Sequence, residues 1–543
     1  MPRIFLLLTF ASLLIPQANA DHIFELQTNA IKDGKAEFGH WGWEKDKYML
    51  WGTHSNRLIP VYTFGTLNSG EGINLQSYVG KNSIYRSEKK LTDLYGQVPE
   101  GTVNPKAEYM DQTDVFRIQK AALKAGKKNI ILVVFDGMDW QTTQSASIIK
   151  LNKIAYESGR GTGFHFQDYK ADGTTQFTTM VTAPYVDNVK IDVDEQTISE
   201  DPNSFRGGYA YEFAGAQAWD TPAEPEYLMG RKTKTAPRQP YTDSASSAVS
   251  MTAGIKTYNA AINIDHNGKM VDTIAHLAQK EGYKVGVVTS VPISHATPAS
   301  AYSHNVKRHD YQDLTNDLLG VKSVNHPQQP LQGVDVLIGA GYGEVRSKDS
   351  GQGKNFVEGN AYLTAQTLNE IDFRNGGKYV VAIRQQGVDG AEQLKEKAEE
   401  AIARDSRLFG FFGVKGGHLP YQTADGDFQP AIGRKKTAEK YSKADLRENP
   451  NLSEMTEAAL SVLEKNEKGF WLMVEAGDVD WANHDNNIDN SAGAVMSGDA
   501  AVKVVTDWVE KNSSWDETVM IVTADHGHFL VLEKPELLVS PAE

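Results

Sequence analysis

The chain has 543 residues, 55 of them basic and 70 acidic, for a formal charge of −15. That balance argues against nucleic-acid binding and against adsorption to an anionic membrane, while an anionic substrate stays open if bound cations reverse the local field. Apolar residues at 40% and charged residues at 23% fit a soluble globular protein with a sizeable core, and the lack of cysteine excludes disulfides, thiolate ligands and a thiol nucleophile.

Residues 1–20 read as an export signal. Arg3 supplies the positive start, residues 4–15 the apolar run, and Ala18-Asn19-Ala20 a small-residue cleavage site after Ala20. The expected location is periplasmic or secreted. The apolar run is too short to span a bilayer, and no later run is long enough. Residues 21–128 form an N-terminal extension of no strong period. Within it, residues 48–51 and 59–64 are candidate short strands, and His22, His40 and His54 read as surface or satisfied side chains. No internal repeat or low-complexity tract is present.

From Asn129 the pattern changes, and residues 129–543 read as one α/β domain with insertions. The run NIILVVF over residues 129–135 is apolar and β-branched, as in strands buried on both faces of a parallel sheet. It ends at Asp136-Gly137-Met138-Asp139, and a helical stretch follows over 142–156. The motif repeats. Strands are expected at 283–288, 334–338, 378–383, 470–474 and 518–523, and helices at 245–253, 272–281, 391–404, 455–465 and 499–511. The alternation gives an α/β fold, with a central mostly parallel sheet and helices on both faces. Residues 163–240 and 343–452 are expected to contain surface insertions.

Three of these strands end on a carboxylate: Asp136, Glu475 and Asp525. A parallel sheet brings such ends to one edge, where ligands bind, and three acids meeting there repel one another unless cations separate them. Asp480 and His484 are four apart and share a face if a helix begins at Asp480. Thr523-Ala524-Asp525-His526-Gly527-His528 places a carboxylate and two imidazoles in four residues. Such oxygen and nitrogen donors suit zinc, and all-oxygen sets suit magnesium. In residues 241–254, YTDSASSAVSMTAG, Asp243 and Ser244 precede a small-residue run that starts a helix. A helix N-terminus offers free N–H groups to an anion, with Ser244 placed to attack it. His295-Ala296-Thr297-Pro298-Ala299 is another small-residue turn, with Lys307-Arg308 about three helical turns on. Taken singly, each of these has an ordinary explanation as a cap, a polar loop or a solvated basic face.

Together, in this order, the segments resemble the alkaline phosphatase family. Thr242-Asp243-Ser244-Ala245 matches its nucleophile motif, Asp136-Gly137-Met138 its first-strand motif, and Ala296-Thr297-Pro298-Ala299 its magnesium segment. Arg308 falls at the spacing of its phosphate-binding arginine. Glu475, Asp480 and His484 match its E-G-x-x-x-D and D-x-x-x-H, although Ala476 stands where glycine is common. Asp525, His526 and His528 match its T-A-D-H-x-H. The resemblance runs from about Asn129 to the end and does not reach residues 21–128.

The resemblance implies a phosphate monoester hydrolase acting through a phosphoserine. One zinc would take Asp136, Asp525 and His526, with Ser244 beside it as nucleophile. A second zinc would take Asp480 and His484. A magnesium-type site would use Asp136, Thr297 and Glu475. Arg308 would clamp phosphate, and His295 and His528 would orient ligands or waters. Small phosphate monoesters are the implied substrates and a homodimer the implied assembly. One departure stands out. The family has a further zinc-ligating histidine past its T-A-D-H motif, and no histidine follows His528 here. Either the sequence is truncated or another histidine fills in, His418 being the nearest substitute. The second zinc is therefore expected to be under-coordinated. The competing readings are a phosphodiesterase, decided by pocket shape, a sulfatase, disfavoured because Ser244 is followed by Ala-Ser-Ser, and a scavenger that binds phosphate and metal without turnover.

Overall fold

A computed structural model describes residues 18–50 and 52–541, with side chains from residue 22 onward. The export signal lies outside the described residues except for the backbone of 18–20, which opens a helix, Ala18–Asp33. Before the first buried parallel strand come β1 (Gly39–Trp41), β2 (His54–Ser55), β3 (Ile59–Phe64) and β4 (Met110–Asp111). Then follow β5 (Asn129–Phe135), β6 (Gln176–Val181), β7 (Val189–Asp192), β8 (Thr197–Glu200), β9 (Lys284–Pro292) and β10 (Val336–Ala340). The remainder are β11 (Val345–Arg346), β12 (Gly359–Asn360), β13 (Tyr379–Ile383), β14 (Arg407–Phe411), β15 (Phe470–Ala476), β16 (Thr518–Thr523), β17 (Gly527–His528) and β18 (Leu530–Leu532).

Ten of these form the central sheet, in the order β13-β14-β10-β9-β15-β5-β16-β3-β6-β4. From β13 to β16 all neighbours are parallel. β3 then runs antiparallel to both β16 and β6. Every residue of β5, β15 and β16 is buried, as expected of strands covered on both faces. Helices pack around the sheet in two groups. Leu452–Leu463, Ile488–Asn512 and Trp140–Leu151 make one, and Thr113–Lys124, Ser244–Ala253 and Ile274–Lys280 the other. The fold is the α/β architecture expected from the alternating strands and helices.

Local chemistry sets the helix that matters most. Asp243, extended at φ −100° and ψ 171°, accepts the Ser246 N–H and caps Ser244–Ala253, and Gly254 ends it in the left-handed region. Several boundaries moved from their expected places. The helix expected over 142–156 is Trp140–Leu151, stopped where Asn152 turns left-handed at φ 50°. Of the segment from His295 to Arg308 only Ala296–Ser300 is helical. Residues 48–50 form a turn rather than a strand, and Trp51 lies outside the described residues.

The segment before Asn129 joins the central sheet through β3 and β4 and pairs with the last strands in two small two-stranded sheets. β1 pairs with β18, β2 with β17 and β3 with β16, all antiparallel. In that register His54 stands directly opposite His528.

Candidate metal centre

Because β15, β5 and β16 are adjacent and parallel, their C-terminal ends share one edge. Ala476 pairs with Phe135, the residue before Asp136, and Thr523 pairs with Val134. Asp136, Glu475 and Asp525 are thereby brought together, each with no exposed surface. The helix Asp478–His484 follows β15 at once and adds Asp480 and His484 on one face, Asp480 Oδ1 lying 3.4 Å from His484 Nε2.

One constellation surrounds His526 Nε2. Ser244 Oγ is 3.1 Å from it, Asp136 Oδ1 3.2 Å and Asp525 Oδ2 3.5 Å. Ligands on a tetrahedral ion with bonds of about 2.0–2.1 Å stand roughly 3.3 Å apart, so this spacing fits a zinc-sized ion. Asp525 is anchored through Oδ1 by the Gly137 N–H at 3.0 Å, and Ser247 donates to its Oδ2 at 3.1 Å. Gly137 is required here. Its φ is +74°, and a Cβ at that position would sit 2.9 Å from the His528 ring and 3.1 Å from Asp480 Cα.

The second constellation is His54, Asp480, His484 and His528. His54 Nε2 is 3.0 Å from His484 Nε2 and 3.4 Å from Asp480 Oδ1. His54 Nδ1 lies 3.0 Å from the Thr242 carbonyl. A carbonyl can only accept, so Nδ1 carries the proton and Nε2 presents its lone pair to the cluster, the arrangement typical of a metal-bound imidazole. His484 is held likewise, its Nδ1 against the Gly52 carbonyl at 2.5 Å. His528 Nε2 is 2.8 Å from Asp480 Oδ1 and steadies that carboxylate.

A third set contains only oxygens. Asp136 Oδ2, Thr297 Oγ1 and Glu475 Oε1 are buried and lack hydrogen-bond partners. Burial pushes Glu475 up to about 8 against the neighbouring hydroxyls of Thr289 and Thr297. Asp136 is raised well above the usual carboxylate range, first by burial and then by the charges of Asp525, Asp480 and Glu475. Burial raises Asp480 too, but His484, His528 and His54 hold it well below its ordinary value. Four carboxylates without a lysine or arginine between them, and with orphaned oxygens, are the electrostatic signature of a site built for cations.

Beside this edge Arg308 Nη1 donates to Asp243 Oδ2 at 3.0 Å, while its buried Nε has no partner. Burial works against the Arg308 charge, but Asp243 more than restores it, so the guanidinium stays charged. His295 lies 3.4 Å from Arg308 Nη2, and burial, then that guanidinium, push its pKa down to about 3. These groups open on a cleft of about 320 Å³ lined by His54, Ser244, His295, Arg308, Trp481 and His484.

The structure gathers Asp136, Ser244, Thr297, Glu475, Asp480, His484, Asp525, His526 and His528 at one sheet edge, with His295 and Arg308 at its mouth. It corrects one expectation. The imidazole that stands beside Asp480 and His484 is His54, which in sequence reads as a surface or satisfied side chain, and its Nε2 offers that pair a further candidate donor. His418 is turned away, its Nδ1 at 2.7 Å from the Leu419 carbonyl and its Nε2 at 3.8 Å from Glu439. The available signal was weak: His54 lies five residues before the one clear strand of the N-terminal segment, Ile59–Phe64.

A family model for alkaline phosphatase matches residues 217–536. Alkaline phosphatase 3 of Bacillus subtilis (strain 168) is 32% identical over 304 residues, which cover 56% of this chain and 53% of that protein. Alkaline phosphatase of Escherichia coli (strain K12) is 28% identical over 313 residues, 54% of this chain and 60% of that one. The tissue-nonspecific isozyme of Rattus norvegicus is 26% identical over 302 residues, 53% of this chain and 52% of that one. The chain spans about half the length of the first of these relatives. With more than half of its residues matched by the family model, and with Ser244, Glu475, Asp480 and Asp525 inside that match, the chain belongs to the alkaline phosphatase family.

Proposed function

We propose that this protein is a phosphate monoester hydrolase that passes the phosphoryl group through Ser244. The observation that carries the reading is the position of the Ser244 hydroxyl. It opens the helix Ser244–Ala253 and lies 3.1 Å from His526 Nε2 and 3.4 Å from Asp136 Oδ1, inside a carboxylate and imidazole cage.

The cage fits two zinc-type ions and one magnesium-type ion. Asp136, Asp525, His526 and Ser244 would hold the first, His54, Asp480 and His484 the second, and Asp136, Thr297 and Glu475 the third. When bound, such ions supply positive charge that lowers the serine pKa and stabilises the leaving oxygen. Arg308 binds two phosphate oxygens with its planar fork, and Asp243 fixes the fork's orientation. The free N–H groups at the start of Ser244–Ala253 face the same anion. Ser244 Oγ gives up its proton to solvent and forms a bond to phosphorus. The bond from phosphorus to the alcohol oxygen breaks, and the alcohol takes a proton from solvent. Water then attacks phosphorus on the opposite side, the serine ester breaks, Ser244 recovers a proton and phosphate leaves. His528 holds Asp480, and the Thr242 carbonyl holds His54, so neither ligand swings as charge builds.

The apolar leader with Arg3 supports export; among the described residues no helix is long and apolar enough to cross a membrane. The test is turnover of an aryl phosphate monoester beside the matching diester, with acid quenching and mass spectrometry of the Ser244 peptide. Monoester turnover with a phosphorylated Ser244 is expected. Preferential diester turnover favours the phosphodiesterase alternative, and binding without turnover the scavenger.

A further inference from the structure

A second histidine cluster lies outside this centre, formed by residues on both sides of Arg308 in sequence. His304 Nδ1 and His326 Nε2 are 3.1 Å apart, and Asp317 Oδ2 is 3.9 Å from His326 Nε2. We propose that His304, His326 and Asp317 form a separate divalent-metal site of the zinc type, which pins the connection between the helix Tyr311–Leu319 and β10 to the segment that carries Thr297 and Arg308.

Three observations support the site. First, the donor atoms are aimed. His304 Nε2 is 3.0 Å from the Val271 carbonyl, which can only accept, so Nε2 carries the proton and the Nδ1 lone pair faces His326. Burial holds the His304 pKa down to about 4, which keeps the ring neutral, as a ligand must be. Second, Asp317 is a wholly buried carboxylate without a lysine or arginine partner among the described residues. The backbone N–H of His304 donates to its Oδ2 at 2.9 Å, and its Oδ1 has no hydrogen-bond partner among the described residues. Third, the surroundings are negative. Asp310 and Asp313 are also buried, also lack a cationic partner, and share the Asn305 amide at 2.9 and 3.3 Å. Burial and the charge of Asp313 raise Asp317 well above the carboxylate range, the condition that a cation relieves. The His304–His326 spacing already matches ligands on one ion. His326, with its side chain 15% exposed, lies at the solvent edge and can close the remaining gap to Asp317.

The competing account is a plain hydrogen bond from His326 to His304, with Asp317 protonated. Metal counting separates the two. The full chain is dialysed against buffered free zinc, and bound zinc is measured by mass spectrometry for the parent, His326→Ala, His484→Ala and the double variant. His326→Ala is expected to lose one equivalent while retaining aryl phosphate turnover, His484→Ala a different equivalent together with turnover, and the double variant both. In the His484→Ala background, zinc is expected to raise Tm, and adding His326→Ala to reduce that rise. Equal zinc content in His326→Ala and the parent overturns the proposal. Because neither the count nor Tm needs activity, this result is independent of the function proposed for Ser244.

Discussion

Replacing His54 with alanine tests the assignment that depends most on the three-dimensional arrangement. The substitution removes an Nε2 that stands 3.0 Å from His484 Nε2 and 3.4 Å from Asp480 Oδ1. It leaves two strong protein donors, Asp480 and His484, where there were three. A structural zinc bound by four ligands is worth about 10–16 kcal/mol, so one ligand carries about 3–4 kcal/mol, or ~10²–10³-fold in affinity. The β2–β17 ladder is made by backbone groups, so the fold should survive, and His54→Gln provides a variant of similar size. Bound zinc is measured across a series of buffered free-zinc concentrations, beside aryl phosphate turnover. The expected result is one zinc equivalent weakened by that factor, the others unchanged, and turnover recovered at high zinc. If His54→Ala holds every equivalent as tightly as the parent, the N-terminal segment contributes no ligand and the reasoning fails.

Ser244→Ala should retain its metals and lose about 10³-fold or more in turnover, and a variant as fast as the parent removes Ser244 from the nucleophile role. Arg308→Ala deletes a charged two-pronged donor, with an expected loss of about 3 kcal/mol, ~10²-fold in kcat/KM, that Arg308→Lys does not restore; steady-state kinetics decides. Gly137→Ala drives a methyl to 2.9 Å from His528 and strains a positive φ, costing about 2–4 kcal/mol in stability and shifting Asp480; thermal melting and zinc content should fall together. Glu475 is raised from 4.5 to about 8, so in the metal-free protein its neutral form is favoured, and stability is lost as pH rises through that value. Magnesium must displace that proton. Calorimetry in buffers of different ionisation enthalpy should show at least one proton released at pH 7, and the Glu475 share of that release should vanish as pH rises past about 8.

Much of the site was legible because it hangs on regular elements. Asp136, Glu475 and Asp525 terminate or follow continuous apolar strands, and the register of β15, β5 and β16 turns that linear pattern into a shared edge. Ser244 announces itself through its neighbour Asp243, an N-cap before small residues. Asp480 and His484 needed only helical spacing. His54 gave no such signal. Its strand is two residues long and pairs with another two-residue strand near position 528, so nothing periodic marks either partner. The His304–His326 approach was hidden for the same reason, since it joins two irregular segments across a helix. The Arg308 placement was half legible: its distance along the chain pointed to the phosphate, but the path is a turn, anchored by the Arg308 N–H on the Ala260 carbonyl at 2.8 Å, rather than three turns of helix.

The pairing of β2 with β17 has a consequence for biogenesis. Ser55 donates to the His528 carbonyl across 473 positions. On a translating ribosome β3 can meet β6 within the first third of the chain, but β2 meets β17 only when nearly all of those residues have been made, and such distant contacts form slowly. The imidazole of His54 therefore reaches Asp480 and His484 only as the last strands emerge. Until then Asp480 and His484 lack the Nε2 that stands against them in the folded chain, so the candidate metal centre is completed only among the last steps of folding.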